Sequence, residues 1–203
     1  RPATLMLDNL QVLSNVLSLA HKYKVKKLLY LASSCTYPKN AKQPMSPEML
    51  MTGHLEPTNS AYATAKIAGI ELCQAYNQEY ACDFISVIPA NIFGPGDDFS
   101  EDNSHVISAL IKKIHKVKIN GDKSIKLWGS GKPKREFIFI NDLANACIFL
   151  MNNYSSSKPI NIGSGNVVSI FELANIIAES LNFKGNIKFD TTKPDGMPEK
   201  TIN

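Results

Sequence analysis

The chain has 203 residues, 44% hydrophobic and 20% charged, with a net charge of +4, a profile that excludes a disordered or low-complexity protein. Its length holds one sizeable domain or one and a half small ones, and no run of about 18 apolar residues offers a membrane-spanning helix. Four cysteines, Cys35, Cys73, Cys82 and Cys147, lack CxxC or zinc-like spacing, which argues against a metal site and suits a reducing cytoplasm better than a disulfide scaffold.

The pattern alternates helix and strand. Leu10, Leu13, Leu17 and Ala20 recur at helical spacing, and residues 26–32 read as a buried strand. A turn-rich stretch follows, with Pro38, Pro44, Pro47 and Pro57. Asn59 or Ser60 is placed to cap a helix running to about Tyr80. Residues 84–89 are the next strand, and Asn91 to Gly96 read as a loop. Residues 105–117 form an amphipathic helix. Residues 125–128 and 136–140 are short strands, with Asn141 or Asp142 capping the helix after the second. Residues 159–162 are a strand, Ser169 to Glu172 form a capping box opening a helix to about Leu181, and residues 187–190 are a last strand. Strands alternating with helices of this length predict an α/β fold with a doubly wound parallel sheet. Neither Arg1-Pro2-Ala3-Thr4 nor the last five residues read as a natural boundary, so an internal piece of a longer protein is expected.

Charge is unevenly placed. Residues 112–135 carry nine Lys or Arg against one acid, Asp122. Such a cluster is either a solvated face or an attractor for an anionic small molecule such as a nucleotide diphosphate. Nucleic acid is disfavoured, because the cluster has little aromatic interleaving and no recognised binding motif.

The chemistry concentrates at Tyr62-Ala-Thr-Ala-Lys66. Tyrosine and lysine four residues apart share one helical face. A free phenol titrates near 10, too high for proton transfer at neutral pH, and a lysine ammonium one turn away favours the phenolate. Ser33 and Ser34 end a strand 29 residues before Tyr62, counting from Ser33, and Asn91 follows the next strand. The bland alternative is an exposed helical pair, but the ordered set is far more specific than YxxxK alone. All of these residues lie on or beside the irregular stretches at strand carboxyl ends, where open α/β sheets bind ligands.

The segments Leu31-Ala-Ser-Ser-Cys-Thr-Tyr-Pro38, Glu56-Pro-Thr-Asn59, Ala61 to Gly69, Asn91-Ile-Phe-Gly-Pro95, Asn103-Ser-His-Val106, Trp128-Gly-Ser-Gly131, Arg135-Glu-Phe137 and Lys193-Pro-Asp-Gly196 resemble the GDP-L-fucose synthase family, extended short-chain dehydrogenases. The resemblance runs from about Leu10 to the end. It implies a Rossmann-like sheet with a smaller carboxyl-terminal substrate-binding lobe: residues 1–95 as the later part of the NADP-binding domain, residues 96–203 mostly as the lobe, and about 136–151 returning to the first domain. It implies NADP(H) as cofactor, GDP-4-keto-6-deoxymannose as substrate, and epimerisation at C3 and C5 before reduction at C4.

Residue by residue, the resemblance makes Ser33 the carbonyl-binding serine, Tyr62 the acid that protonates the C4 oxygen, and Lys66 the holder of the nicotinamide ribose. Cys35 and His105 become the acid/base pair that inverts C3 and C5, types that titrate usefully near neutrality. The plain alternatives are a small buried thiol for Cys35 and a capping or core histidine for His105. Leu31, Ala32, Ser33, Ser34, Pro89, Ala90, Asn91 and Ile92 would line the cofactor, with Lys66 and His105. Lys113, Trp128, Arg135 and Asp195 would hold GDP and its sugar, since a tryptophan and two cations suit a guanine ring and a diphosphate. Trp128 could equally be a core anchor on a strand. Lys113 departs from the arginine common in relatives, keeping the charge and losing the bidentate fork. The family's glycine-rich phosphate loop and 2′-phosphate-reading residues would precede Arg1, so NADPH preference rests on the resemblance alone. Family members are homodimers pairing through two helices, and Ala65, Ala68 and Gly69 would permit such packing or equally suit a buried helix. Two rivals remain open: another sugar-nucleotide epimerase or dehydratase, and a non-catalytic sugar-nucleotide-binding module.

Overall fold

The structure is a computed structural model that describes residues 1–100 and 104–203. Helix α1 (Pro2–Lys22) opens with proline in its first turn, where a missing N–H costs nothing. Strand β1 (Leu28–Leu31) follows, then a short 3-10 turn over Ser34–Thr36 and another over Pro47–Met49. Helix α2 (Ser60–Tyr80) leads into β2 (Phe84–Pro89), whose first residue is clamped by Asn77: the Asn77 side chain donates to Phe84 O and accepts from Phe84 N, both at 2.8 Å. Then come β3 (Asn91–Phe93), α3 (Val106–Ile119), β4 (Ser124–Trp128), β5 (Lys134–Phe139), α4 (Ile140–Asn153), β6 (Ile160–Ile162), β7 (Val167–Ser169), α5 (Ile170–Ser180), β8 (Asn186–Asp190) and β9 (Glu199–Lys200).

The expected α/β, Rossmann-like architecture is present. Strands β1, β2 and β6 form a parallel sheet in the order β1-β2-β6. All six residues of β2 are buried, as a strand covered on both faces must be. Phe84 packs with Leu13, Leu17 and Ala20 of α1 and Cys73 of α2, while Ile85, Val87 and Ile88 share a core with Leu143 and Leu150 of α4. A second core joins Leu110 and Ile114 of α3, Ile125 and Leu127 of β4, and Leu173 and Ile177 of α5. There β4 and β8 pair in parallel.

Two expectations are corrected. Asn91–Phe93 is a strand, not a loop: it pairs in parallel with Phe137–Phe139, so its backbone groups are satisfied by β5 rather than by turns. The helix caps at 59–60 and 141–142 are not made by side chains. Asn59 occupies the cap of α2 without a side-chain bond, and Ser60 Oγ donates to Pro57 O instead. Helix α4 begins earlier, at Ile140, with Phe139 as its cap residue. The remaining strands build the rest of the α/β structure around β5 and β4. β5 pairs with β3 and β9 in parallel but with β7 antiparallel. By contrast the Ser169/Glu172 capping box forms as expected, each side chain accepting the other's backbone N–H, an arrangement that contributes about 1 kcal/mol. Among the described residues no helix is long and apolar enough to cross a membrane.

Candidate active site

A cleft of about 880 Å³ opens where β1 and β2 end. Ala32, Ser33, Ser34 and Cys35 line it from the end of β1, Pro89 to Ile92 from the end of β2, Tyr62 from α2, and His105 from the start of α3. The fold therefore brings Ser33, Cys35, Tyr62 and His105 to one cavity from three separate places: the turn after β1, helix α2 and the start of α3. Asn103, part of the motif before His105, lies outside the described residues.

Ser33 is extended, at φ −157° and ψ 146°, and its Oγ caps the turn that follows by accepting from Cys35 N at 3.2 Å. His105 caps α3 through its backbone: its carbonyl accepts from Ala109 N at 2.8 Å and Ser108 Oγ at 3.0 Å. Its side chain makes no cap bond and is exposed. The capping alternative thus holds for the main chain and leaves the imidazole free for other work.

The electrostatics of Tyr62 depart from expectation. Burial pushes its phenol up, the Ser33 side-chain hydrogen bond pulls it down, and nearby Cys35 raises it. Lys66 does not produce the expected lowering. Its Nζ donates to Leu31 O at 2.9 Å and lies 5.7 Å from the Tyr62 ring centroid and 5.3 Å from that of Tyr30. Burial lowers the Lys66 ammonium in turn. Lysine and tyrosine share a helix face, a carbonyl at the end of β1 takes one of the ammonium's three N–H groups, and burial decides the direction of the Tyr62 shift.

Of the residues expected to hold a nucleotide, Lys113 and Asp195 stand near Trp128. This side chain is 70% exposed, so it is not the core anchor that its strand position allowed. Lys113 Nζ and Lys193 Nζ stand 5.4 and 5.7 Å from its ring. Beside it, Asp195 closes the Gly129–Gly131 turn: Oδ1 accepts from Ser130 N at 2.7 Å and Oδ2 from Ser130 Oγ at 2.6 Å, bonds that hold its carboxyl below the usual range. Asp195 thereby shapes the turn. Arg135 is half-buried on β5, donates from Nη1 to Lys134 O at 2.7 Å, and is lowered by burial. Of the small residues on α2, Ala65 is buried, and a Cβ on Gly69 would collide with the Tyr30 ring. These positions serve the buried-helix alternative.

Sequence reasoning missed two residues. Lys200 enters the cleft from β9, and its Nζ donates to Cys35 Sγ at 3.3 Å. Glu136, 1% exposed, accepts from Gly165 N and Ile202 N and braces the segment that carries Lys200. Glu136 had a signal: an acid at an inward position of an alternating strand. Lys200 had none, since only the pairing of β9 with β5 delivers it.

The family description "NAD dependent epimerase/dehydratase family" matches residues 1–163. The whole chain is 48% identical to GDP-L-fucose synthase 1 of Arabidopsis thaliana over 202 residues, spanning 62% of that protein. It is 50% identical to GDP-L-fucose synthase of Sinorhizobium fredii, spanning 64% of it. Among solved structures, a GDP-L-fucose synthetase from Naegleria fowleri bound to NADP superposes with a TM-score of 0.94 at 35% identity, covering all of this chain and 65% of that one. The chain thus spans a little under two thirds of these relatives.

Proposed function

The chain belongs to the NAD dependent epimerase/dehydratase family, and on that premise we propose that it is the central and carboxyl-terminal part of a GDP-L-fucose synthase, converting GDP-4-keto-6-deoxy-D-mannose to GDP-L-fucose with NADPH. The observation that carries this reading is the single cleft shared by Ser33, Tyr62, Cys35 and His105. A reductase alone needs the first two. An acid/base pair beside them suits inversion at the carbons flanking a ketone.

The cofactor residues fit a dinucleotide in kind. The carboxyl ends of parallel strands β1 and β2 face the cleft, as open sheets present themselves to such ligands. Leu31 to Ser34, Pro89 to Ile92 and Lys66 would hold NADP(H), which supplies the hydride when bound. Tyr62, kept protonated by burial, gives its proton to the C4 oxygen while Ser33 donates to that oxygen and orients it. In the earlier steps the C4 ketone acidifies the hydrogens on C3 and C5. One member of the Cys35/His105 pair removes a proton, the electrons pass to the ketone oxygen, and the other returns a proton to the opposite face. Trp128, with Lys113 and Arg135, would take the guanine and diphosphate, while Asp195 keeps the adjoining turn in shape. The outward apolar residues of α1, Val12, Val16 and Leu19 among them, suit a homodimer, and the free cysteines suit a reducing cytoplasm.

The test uses the full-length protein, the 4-keto sugar nucleotide and NADPH in heavy water, with products read by NMR. Cys35→Ser and His105→Gln should lose deuterium incorporation at C3 or C5. Normal fucose formation by both variants would leave only a simple 4-keto reductase.

A further inference from the structure

Lys200 stands apart from every motif that marks the cleft, yet it makes the direct polar contact with its thiol: Nζ to Sγ at 3.3 Å. The segment carrying it is held from two sides. Arg135 and Lys200 are register partners across β5 and β9. One residue on, Gln43 Oε1 accepts from Thr201 N at 2.8 Å, and Glu136 Oε2 then accepts from Ile202 N at 3.0 Å. Anchoring the backbone this closely leaves only the side chain's own rotamers to be fixed when the ammonium meets its partner.

An ammonium against a sulfur favours the thiolate, and the thiolate rather than the thiol accepts protons and attacks electrophiles. We propose that Lys200 is a positioning residue for Cys35, pairing with its thiolate and holding it as the proton acceptor of the cleft. The other groups facing Cys35 are the Tyr62 phenol, the Ser33 hydroxyl that accepts from Cys35 N, and His105 and Asp97 across the cleft. Of these only His105 can add positive charge, and Asp97 opposes it. Lys200 therefore supplies the cation in contact with sulfur.

The proton accounting is consistent. The thiolate takes a proton from the carbon beside the ketone, an S–H bond forms as the C–H bond breaks, and the electron pair moves to the ketone oxygen as an enolate. One negative charge leaves sulfur and one appears on oxygen, so the ammonium faces a single negative charge throughout. This deepens the proposed epimerisation and rests on it for the thiolate's purpose, whereas the ion pair itself needs neither substrate nor cofactor.

The experiment follows alkylation of Cys35 by iodoacetamide in the full-length protein, reading the Cys35 peptide by mass spectrometry from neutral to alkaline pH. Lys200→Met should slow alkylation several-fold near neutrality and should converge with the wild-type rate in alkaline solution. Lys200→Arg should stay near wild type throughout. Equal neutral rates for wild type and Lys200→Met would overturn the proposal. So would a deficit that persists undiminished at alkaline pH, which would mean lost access rather than lost charge. Failure of this ion pair leaves the isotope-exchange test of the epimerase standing, and failure of that test leaves the alkylation result standing.

Discussion

Glu136 Oε2 accepts a hydrogen bond from the backbone N–H of Ile202 at 3.0 Å while Oε1 accepts from Gly165 N at 2.8 Å, although the residue is 1% exposed. One buried side chain thereby ties β5 to the loop after β6 and to the segment that carries Lys200. Asn91 adds to the same junction, its Nδ2 donating to the Glu136 carbonyl at 2.8 Å.

Removing that brace should be costly. Glu136→Ala leaves the buried Ile202 N–H without its acceptor and releases the Gly165 N–H to solvent, so a loss of about 1–3 kcal/mol is expected in urea unfolding. Gly163→Ala attacks the same place sterically, because a Cβ there collides with Glu136 Oε1 and its carboxyl carbon. Wild-type stability in both variants would show that the contact is replaceable.

Trp128 is the single tryptophan of the chain and is largely exposed between two lysines. Its fluorescence should therefore report directly on a stacked base. GDP is expected to quench it saturably, and Lys113→Met should weaken the apparent affinity several-fold with little change in the unfolding midpoint. Fluorescence that ignores GDP would remove Trp128 from the nucleotide site.

Alkaline stability follows from buried acids. Burial pushes the Cys73 thiol up to about 11 and raises the phenols of Tyr30 and Tyr37 well above their ordinary value, the Tyr37 hydroxyl donating to Asn161 Oδ1 at 2.5 Å. These groups hold their protons more tightly folded than unfolded. Their stabilisation is complete below the unfolded values and is lost as pH rises toward the folded ones. Unfolding midpoints should thus fall from about pH 9 upward, first through Cys73 and then through the tyrosines. Tyr37→Phe should flatten the upper part of that decline, and a flat wild-type profile would contradict the argument.

The periodicity of β2, α2, α3 and α5 was legible because each buries a face whose pattern the residues carry locally. Strand β3 was not. Asn91 and Gly94 punctuate it like a loop, and only the neighbouring β5 makes three residues extended. The caps at 59–60 and 141–142 misled for a related reason, since the chain had other partners for those side chains or started the helix sooner. Within the site, Ser33, Cys35, Tyr62 and His105 stood out through motif spacing, whereas Lys200 depended on a register across 65 residues. The sense of the Tyr62 shift was also illegible. Sequence places a lysine on its face but cannot show how far the fold buries the phenol, and burial sets the direction.

That last point gives the most direct test of Tyr62. A phenol raised by burial is a proton donor at neutral pH, not a resident phenolate, so it suits protonation of the C4 oxygen. Tyr62→Phe removes the donor and leaves Cys35 and His105 in the cleft. Reduction by the full-length protein should drop by roughly two to four orders of magnitude, the usual scale for general acid catalysis. Deuterium should still enter C3 and C5. For the wild type, the reductive rate should hold level through neutrality and fall only as alkaline pH begins to ionise the phenol. Loss of exchange together with reduction in Tyr62→Phe would show that the phenol also serves the epimerisation, and the division of labour between Tyr62 and the Cys35/His105 pair would be wrong.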